Sequence, residues 1–237
     1  MRPRGRSVPD AGPVPRLRQA VIAARDLESV AGELRLALGL GEPFADPGVE
    51  LFGLRNAVFA LGDTFLEVVS PIRPDTSAGR LIERRGGDCG YMLMFQVEDL
   101  AGARERARAE GVREVFEVHL DDMEEVHLHP ADMRAAIVSL SRPQPPESWR
   151  WGGPDWTRQR APVRVTGATL SVATPVSVVA RWQSVLDVEL ERIGIRAGAD
   201  DLDRGLSEIV IGGMSRPTGD PLLIGGVRFV FEDESRG

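Results

Sequence analysis

The chain has 237 residues, of which 42% are hydrophobic and 27% are charged, and its formal net charge at pH 7 is −7. This length allows one large domain or two ordinary ones, and the hydrophobic share is sufficient for a core. Dispersed arginines without a basic face argue against nucleic acid, no apolar run approaches the roughly 18 residues of a membrane span, and a single cysteine excludes a disulfide framework. We therefore expect a small-molecule ligand, with no nucleic-acid or membrane partner.

The first segment of the chain, residues 1–15, is rich in Arg, Pro and Gly and has no signal-peptide apolar segment. We predict a flexible N-terminus and a cytoplasmic protein. Beyond it, a short apolar run that ends at a helix-capping residue occurs three times, beginning at Gln19, Met92 and Gly167. A period near 73 residues is too long for a solenoid repeat and suits a small α+β module.

The first copy opens with a short apolar run, 17–24, that is typical of a buried strand. Asp26 then occupies the position of a helix N-cap, and Gly39 the position where a helix usually ends. Between them an apolar stripe at helical spacing predicts a helix that packs on a sheet. Residues 56–61 and 64–69 predict two strands joined by the two-residue turn Gly62-Asp63, which makes a β-hairpin.

The later copies follow the same order. In the second, a helix capped by Asp99 and ending near Gly111 precedes strands at 113–120, 126–129 and 136–140, with a turn at 121–125. The third has Thr174 as cap, Pro175 at the first helical position, and candidate strands at 206–211 and 226–232. Each unit is therefore predicted to be βαβββ.

Paired βαβββ units with this opening pattern resemble the vicinal oxygen chelate superfamily, which includes glyoxalase I, bleomycin-resistance proteins and extradiol dioxygenases. The segment Leu128-His129-Pro130 through Ile137-Val138-Ser139-Leu140 locally resembles the methylmalonyl-CoA epimerase family. The resemblance implies an α+β fold in which two βαβββ modules, 16–75 and 88–142, form one cup-shaped glyoxalase-like domain. A Trp- and Pro-rich linker at 143–161 and a third module at 162–237, a half-domain, would follow.

The resemblance also implies a divalent metal held by four side chains facing the cup. Carried over to this sequence, the four positions are Gln19, Glu67, Met92 and Ser139. Only Glu67 is a usual ligand, since divalent ions of this class prefer imidazole and carboxylate donors. We therefore expect no cofactor, with a divalent metal as the open alternative.

Glu67 shares one strand face with Phe65 and Val69, so its carboxylate is expected among apolar neighbours that raise its pKa. Such a group can act as a general base or acid. The alternative is that Glu67 only hydrogen-bonds Gln19 or a backbone group inside the cup.

All three histidines lie within eleven residues. A turn at 121–125 that pairs Leu120 with Val126 would place His119 opposite His127 and a glutamate, Glu117, opposite His129. These histidines, with Glu67, would be the ligands if a metal binds; otherwise they line a substrate pocket or an exposed strand surface.

The linker holds three of the four tryptophans, which either dock the third module or close over an apolar ligand. We favour docking. A third module leaves an unpaired sheet edge, so we predict a homodimer, with folding back onto the same chain as the alternative.

We therefore predict a glyoxalase-like protein with a degenerate metal site. The favoured function is a lyase or isomerase in which Glu67 is the catalytic residue and moves a proton next to the carbonyl of a small carbonyl or acyl-thioester compound, while Gln19 or a histidine steadies the enolate oxygen. The predicted substrate-binding residues are Gln19, Met92, His127, His129 and Ser139. The alternative is a non-catalytic protein that binds or sequesters a small molecule, as the bleomycin-resistance relatives do.

Overall fold

A computed structural model of the chain describes residues 15–214 and 221–232. These residues form two β-sheets, of seven and five strands, with helices packed on them. Nearly all of the predicted N-terminal segment, 1–14, lies outside the described residues. None of the helices in the described ranges has the length and apolar character needed to cross a membrane.

The first module has the predicted order. It comprises β1 (Arg16–Ala23), α1 (Leu27–Leu38), a 3₁₀ segment (Pro47–Phe52), β2 (Leu54–Leu61) and β3 (Thr64–Pro71). Asp26 caps α1 by accepting a hydrogen bond from the backbone N–H of Ser29, and Gly39 ends it in the left-handed region with φ 64°. Where the predicted βαβββ module has its third later strand, the structure has an isolated bridge between Phe44 and Val58.

The second module follows after α2 (Ser77–Arg85). It consists of β4 (Cys89–Gln96), α3 (Leu100–Ala109), β5 (Glu114–Leu120), β6 (Met123–Leu128), the short α4 (Pro130–Met133) and β7 (Ile137–Pro143). The first sheet has the order β2-β3-β1-β4-β7-β6-β5. β1 runs parallel to β3, β4 runs parallel to β7, and the central β1–β4 pair is antiparallel.

The predicted register of the β5–β6 hairpin is wrong. The turn has only two residues, Asp121 and Asp122, so Leu120 pairs with Met123, His119 with Glu124, and Phe116 with His127. The shorter turn is favoured because it directs Met123 into the cup, where it is 1% exposed. His119 and His127 therefore lie on opposite faces of the hairpin, because a register change moves side chains between faces.

The two faces of the first sheet pack differently. Along β1, Ala20 and Ile22 face a core that α1, α3 and the second sheet cover, whereas Val21 and Ala23 face the inside of the cup. This alternation follows from the two-residue period of a strand. It leaves a separate apolar cluster inside the cup, against which the linker packs.

The linker contains a 3₁₀ turn (Arg150–Gly152) and α5 (Trp156–Gln159), and leads into the second sheet. That sheet is built from β8 (Arg164–Val172), α6 (Pro175–Leu186), β9 (Ile195–Ala199), β10 (Gly205–Gly212), β11 (Leu222–Ile224) and β12 (Val227–Phe231). β10 contains the candidate strand 206–211 of the third copy, and β12 lies within the candidate strand 226–232. The order β11-β12-β10-β8-β9 repeats the strand directions of β2-β3-β1-β4-β7, so the C-terminal part is a smaller version of the first sheet.

The second sheet packs against the first sheet of the same chain. Gly90 of β4 lies so close to the backbone of Leu206 that an added Cβ would come within 2.1 Å of its carbonyl oxygen. Trp182 of α6 is fully buried and donates from Nε1 to the carbonyl oxygen of Met133 at 2.9 Å. The two sheets consequently share one apolar core.

Candidate active site

The inside of the cup encloses a cavity of about 480 Å³. Apolar side chains from β1, β4, β5 and the 3₁₀ segment 47–52 form most of its wall. Its polar side chains come from both modules and from the linker: Gln19, Asp46, Asn56, Glu67, Tyr91, Glu125, His127, Arg150 and Trp151. A mostly apolar cavity with a few convergent polar groups is the usual form of a small-molecule site.

Glu67 lies on the wall formed by the first module and is 7% exposed. Its Oε2 accepts a hydrogen bond from Gln19 Nε2 at 2.7 Å, and its Oε1 accepts one from Asn56 Nδ2 at 2.6 Å. β1 and β2 flank β3 in the sheet, so these two amides reach Glu67 from either side. The hydrogen bond to Gln19, which the sequence analysis offered as the alternative to a catalytic role, is present.

The orientation of both amides is determined by groups that can only donate. Trp149 Nε1 donates to Gln19 Oε1 at 2.7 Å, and the backbone N–H of Asp46 donates to Asn56 Oδ1 at 2.9 Å. An indole and a backbone N–H have no acceptor. Each amide must therefore present its NH₂ group to Glu67, and both oxygens of the carboxylate act as acceptors.

The pKa of Glu67 is raised to about 7. Burial is the largest cause, and the charges of Asp46 and Glu125 add to it, while the hydrogen bonds from Asn56 and Gln19 act in the opposite direction. The direction agrees with the sequence prediction. A carboxyl group with this pKa is ionised and protonated in similar amounts near neutral pH, as an acid–base group requires.

A second buried carboxylate, Glu125, lies on the wall formed by the second module. It is 4% exposed and has three side-chain donors. Its Oε1 lies 2.7 Å from His127 Nε2, and its Oε2 accepts from Ser141 Oγ at 2.6 Å and Trp151 Nε1 at 2.8 Å. Burial raises the pKa of Glu125, but the hydrogen bond and charge of His127 and the bonds from Ser141 and Trp151 outweigh it, so the pKa is lowered overall.

The ring of His127 is held between two aromatic side chains. Its centroid lies 6.1 Å from that of Phe52, in a stacked arrangement, and 4.9 Å from that of Phe116. The His127 side chain is 15% exposed. Together with the contact to Glu125, these rings restrict the imidazole to one orientation.

The three tryptophans of the linker lie in two different surroundings. Trp149 is 1% exposed and stacks on Phe65, with ring centroids 6.0 Å apart, while Trp156 meets the edge of Phe65 at 5.3 Å. These two dock the linker inside the cup. Trp151 instead lines the cavity and donates to Glu125.

The predicted site residues fall into two groups. Glu67, Gln19, Met92 and His127 line the cavity. Ser139 is on the cup face of β7, opposite His127, but it is fully buried and is not part of the cavity lining; its Oγ lies 3.1 Å from that of Ser141.

His129 and His119 lie outside the cavity lining. His129 is the N-cap of α4 and accepts from the backbone N–H of Ala131 at 3.1 Å, since the chain leaves β6 before it. His119 points to the outer face of β5 and its side chain is 57% exposed. The three histidines are therefore not brought together, because the two-residue turn sends His119 and His127 to opposite faces.

The residues present do not fit the metal that the superfamily implies. At the four carried-over positions, Glu67 already accepts from two amides and the oxygen of Gln19 is occupied by Trp149. The other two supply a thioether at Met92 and a buried hydroxyl at Ser139. Over 15–214 and 221–232, no group of three or more His, Cys, Asp or Glu side chains is arranged to hold a metal ion.

Asn56 and Glu125 have no counterpart in the sequence predictions; for Trp151 the sequence offers ligand contact as an alternative, but not its hydrogen bond to Glu125. The sequence prediction puts Glu125 in a turn, whereas in the structure Met123, Glu125 and His127 alternate along β6 and Glu125 faces the cavity. Asn56 begins the predicted hairpin strand, where the two-residue turn pairs it with Val69 and so places it diagonally across from Glu67. Trp151 reaches Glu125 across 26 residues of sequence, and no local pattern signals that contact.

The fold agrees with the glyoxalase-like domain, whose family model matches residues 20–186. The chain belongs to this family, and the predicted resemblance is confirmed. The ethylmalonyl-CoA/methylmalonyl-CoA epimerase of Cereibacter sphaeroides is 26% identical over 133 residues, which are 54% of this chain and 97% of that protein.

Two solved structures with similar folds are also epimerases. The methylmalonyl-CoA epimerase of Mycobacterium tuberculosis is 22% identical, with a TM-score of 0.47 over 54% of this chain and 87% of that chain. A variant of the Streptomyces coelicolor methylmalonyl-CoA epimerase in complex with 2-nitronate-propionyl-CoA is 22% identical, with a TM-score of 0.49 over 57% of this chain and 99% of that chain.

Proposed function

We propose that the protein is an isomerase or lyase in which Glu67 moves a proton at the carbon next to the carbonyl group of a small carbonyl or acyl-thioester compound. One observation carries this proposal. A buried carboxyl group lies on the wall of a cavity of about 480 Å³, and both of its oxygens are held by amides that can only donate to it.

This arrangement suits a general base. The two NH₂ groups orient the carboxylate and leave the remaining lone pairs for a substrate proton. The pKa of Glu67, about 7, lets the group accept that proton and release it again near neutral pH. The mostly apolar wall and the burial of Glu67 lower the local polarity, which strengthens the interaction of the carboxylate with a bound molecule.

The acyl-thioester class is supported by the relative from Cereibacter sphaeroides, whose name gives ethylmalonyl-CoA and methylmalonyl-CoA as its substrates. Exposed apolar side chains line the cavity next to the buried polar groups: Leu51 is 70% exposed and Leu120 is 38% exposed. They suit the apolar part of an acyl group.

The reaction is tested with methylmalonyl-CoA and ethylmalonyl-CoA in D₂O, by following deuterium incorporation at the α-carbon by mass spectrometry. We expect incorporation well above the rate without protein, because Glu67 exchanges its proton with solvent. Each acyl-CoA is also titrated by calorimetry. Binding without incorporation would contradict the enzyme and support the second candidate below.

The second candidate is a non-catalytic protein that binds or sequesters a small molecule in the same cavity. One observation favours it: both oxygens of Glu67 and both oxygens of Glu125 are already hydrogen-bonded within the protein. The deuterium experiment separates the two candidates, since sequestration requires no exchange.

No step of the proposed reaction passes through a metal, because the donor set does not fit one. Elemental analysis of the purified protein should give less than one equivalent of any transition metal. A stoichiometric metal would contradict the proposal. A cytoplasmic location and a homodimer remain predictions of the sequence, and light scattering that gives the mass of a monomer at micromolar concentration would contradict the dimer.

A further inference from the structure

The charge of the cavity wall bears on which compounds the cavity can accept. Three carboxyl groups line it: Asp46, Glu67 and Glu125. Asp46 caps the 3₁₀ segment, Glu67 is on β3 and Glu125 is on β6. Burial is the main cause of the raised pKa of Glu67, but the charges of Asp46 and Glu125 also contribute, so these charges reach Glu67.

Arg150 does not compensate for the carboxyl groups. It is the one arginine in the cavity lining over the described ranges, and its Nη1 donates to both oxygens of Asp122, at 2.8 and 3.0 Å. This ion pair is neutral as a whole, and the side chain of Arg150 is 48% exposed, so water screens its charge. An anionic ligand would have to displace Asp122 in order to pair with Arg150.

His127 does not reverse the sign of the wall either. Its Nε2 lies 2.7 Å from Oε1 of Glu125, whose lowered pKa keeps it ionised at neutral pH. The two side chains together are neutral when the ring is protonated and carry one negative charge when it is not. In neither state does the pair leave a positive charge for a ligand.

The negative charges act in a place where water screens them little. Glu67 is 7% exposed and Glu125 is 4% exposed, and most of the remaining wall is apolar. Charges interact more strongly in such surroundings than in water. A carboxylate that enters the cavity would therefore give up its hydration and meet like charges.

We propose that the cavity selects acyl thioesters that carry no charge on the carbon next to the thioester carbonyl, because the negative charge of its wall, to which Asp46 contributes, disfavours an α-carboxylate. This inference rests on the proposed function of Glu67 and narrows its substrate class. Simple acyl thioesters are then bound well, and malonyl thioesters, which carry an α-carboxylate, are bound and exchanged less well.

The same selection suits the chemistry of Glu67. A negative charge on the α-carbon would lie beside the group that removes the α-hydrogen. Like charges disfavour ionisation, so this charge would favour protonated Glu67, which cannot accept a proton from carbon. An uncharged substituent leaves the carboxylate free to act as a base and packs against the apolar part of the wall.

The test compares three thioesters that share coenzyme A. Ethylmalonyl-CoA has an α-carboxylate, its carboxamide analogue has a neutral group of the same size, and butyryl-CoA has a hydrogen in that place. Each Kd is measured by calorimetry at pH 7.5 and fixed ionic strength. We expect both uncharged compounds to bind at least about tenfold more tightly than ethylmalonyl-CoA. Equal affinities, or no binding of any of the three, would overturn the proposal.

A charge-neutralising variant locates the effect. Asp46→Asn removes one charge from the wall and keeps the Oδ1 atom that accepts from the backbone N–H of Gly48. Asp201→Asn removes the same charge at an exposed position outside the cavity lining. We expect ethylmalonyl-CoA to bind about threefold more tightly or better in Asp46→Asn only, with little change for the carboxamide. No gain in Asp46→Asn, or an equal gain in both variants, would overturn the proposal.

Deuterium exchange with the same thioesters separates this inference from the function of Glu67. If the uncharged thioesters bind more tightly and none of the three exchanges its α-hydrogen, the selectivity stands and the function of Glu67 is overturned. If exchange occurs and the three bind equally, the selectivity is overturned and the function of Glu67 stands.

Discussion

The two walls of the cup each bury one glutamate, and their surroundings differ. Glu67 receives two hydrogen bonds from neutral amides, whereas Glu125 receives bonds from an imidazole, a hydroxyl and an indole. Burial disfavours the ionised form of both. The pKa of Glu67 is nevertheless raised to about 7, and that of Glu125 is lowered.

The difference shows that burial alone does not decide how a carboxyl group behaves. Only Glu125 has a neighbour that can carry a positive charge, and this offsets the cost of desolvation. Two carboxyl groups whose environments separate their pKa values can take different roles in acid–base chemistry. Glu67 is thus suited to exchange a proton, and Glu125 to hold His127.

The largest expected effect, on the rate of α-deuterium exchange, comes from moving the carboxylate from position 67 on β3 to position 19 on β1. Glu67→Gln alone sets a new NH₂ group against one of the two oriented amides, which also strains the site. The double variant Gln19→Glu/Glu67→Gln avoids this: the new glutamate accepts from Trp149 and from the new glutamine, which accepts from Asn56. We expect the double variant to fold with its hydrogen bonds intact and to lose α-deuterium exchange by at least about 10²–10⁴-fold.

Gln19→Glu alone keeps Glu67 in place but sets two carboxyl groups against each other, so it separates the effect of the new carboxyl group from that of removing Glu67. Circular dichroism and thermal unfolding establish that each protein is folded. Wild-type exchange rates in the double variant would show that the position of the carboxylate on β3 is not required.

A smaller effect concerns how the free energy of unfolding depends on pH. The contributions of the two glutamates should have opposite signs. Glu67 holds its proton up to about pH 7 in the folded state, against 4.5 when unfolded. Its contribution to the free energy of unfolding is therefore complete below pH 4.5, falls as the pH rises from 4.5 to 7, and is lost above that. The total is roughly 3 kcal/mol at 1.36 kcal/mol per pKa unit.

Urea unfolding at pH 5 and pH 8 measures this difference. The wild type should lose more stability than Glu67→Gln on going from pH 5 to pH 8. For Glu125 the sign is reversed, because its pKa is lowered: its contribution is present above its unfolded value near 4.5 and is lost as the pH falls through the folded value. Parallel pH profiles of the wild type and Glu67→Gln would contradict the raised pKa of Glu67.

The smallest expected effect concerns the linker. Trp151→Phe removes one of the three donors to Glu125, and a hydrogen bond to a charged group is worth about 1.5–3 kcal/mol. The loss of unfolding free energy should be measured by urea titration at neutral pH. In Glu125→Gln the same substitution should cost less, since the acceptor is then neutral. Equal costs in both backgrounds would mean that the indole does not stabilise a charged Glu125.

Much of the fold is predictable from short patterns. The cap at Asp26, the stripe of α1 and the hairpin turn at Gly62-Asp63 are local signals, and their repetition indicates the module. The depth of Glu67 in the cup also follows from its apolar neighbours on β3. These features depend on residues close together in sequence.

The residues that line the second wall are harder to predict from sequence, because β6 is buried on both faces. Met123 and Val126 are both buried although they face opposite sides, so apolar residues do not reveal the register. A glutamate in such a strand runs against the usual exposure of that residue. The contact of Trp151 with Glu125 depends on how the linker folds back into the cup, which only the tertiary structure defines.

The central claim is that Glu67 acts as the base of the cup. The most direct measurement is the rate of α-deuterium exchange at methylmalonyl-CoA concentrations well below KM, between pH 5 and pH 8.5, since the pH dependence then reports groups of the ligand-free protein. Since the ionised form of Glu67 is required, the rate should rise about tenfold per pH unit at the acid end and approach a plateau with a midpoint near the pKa of about 7. A rate that is constant over this range would contradict the claim.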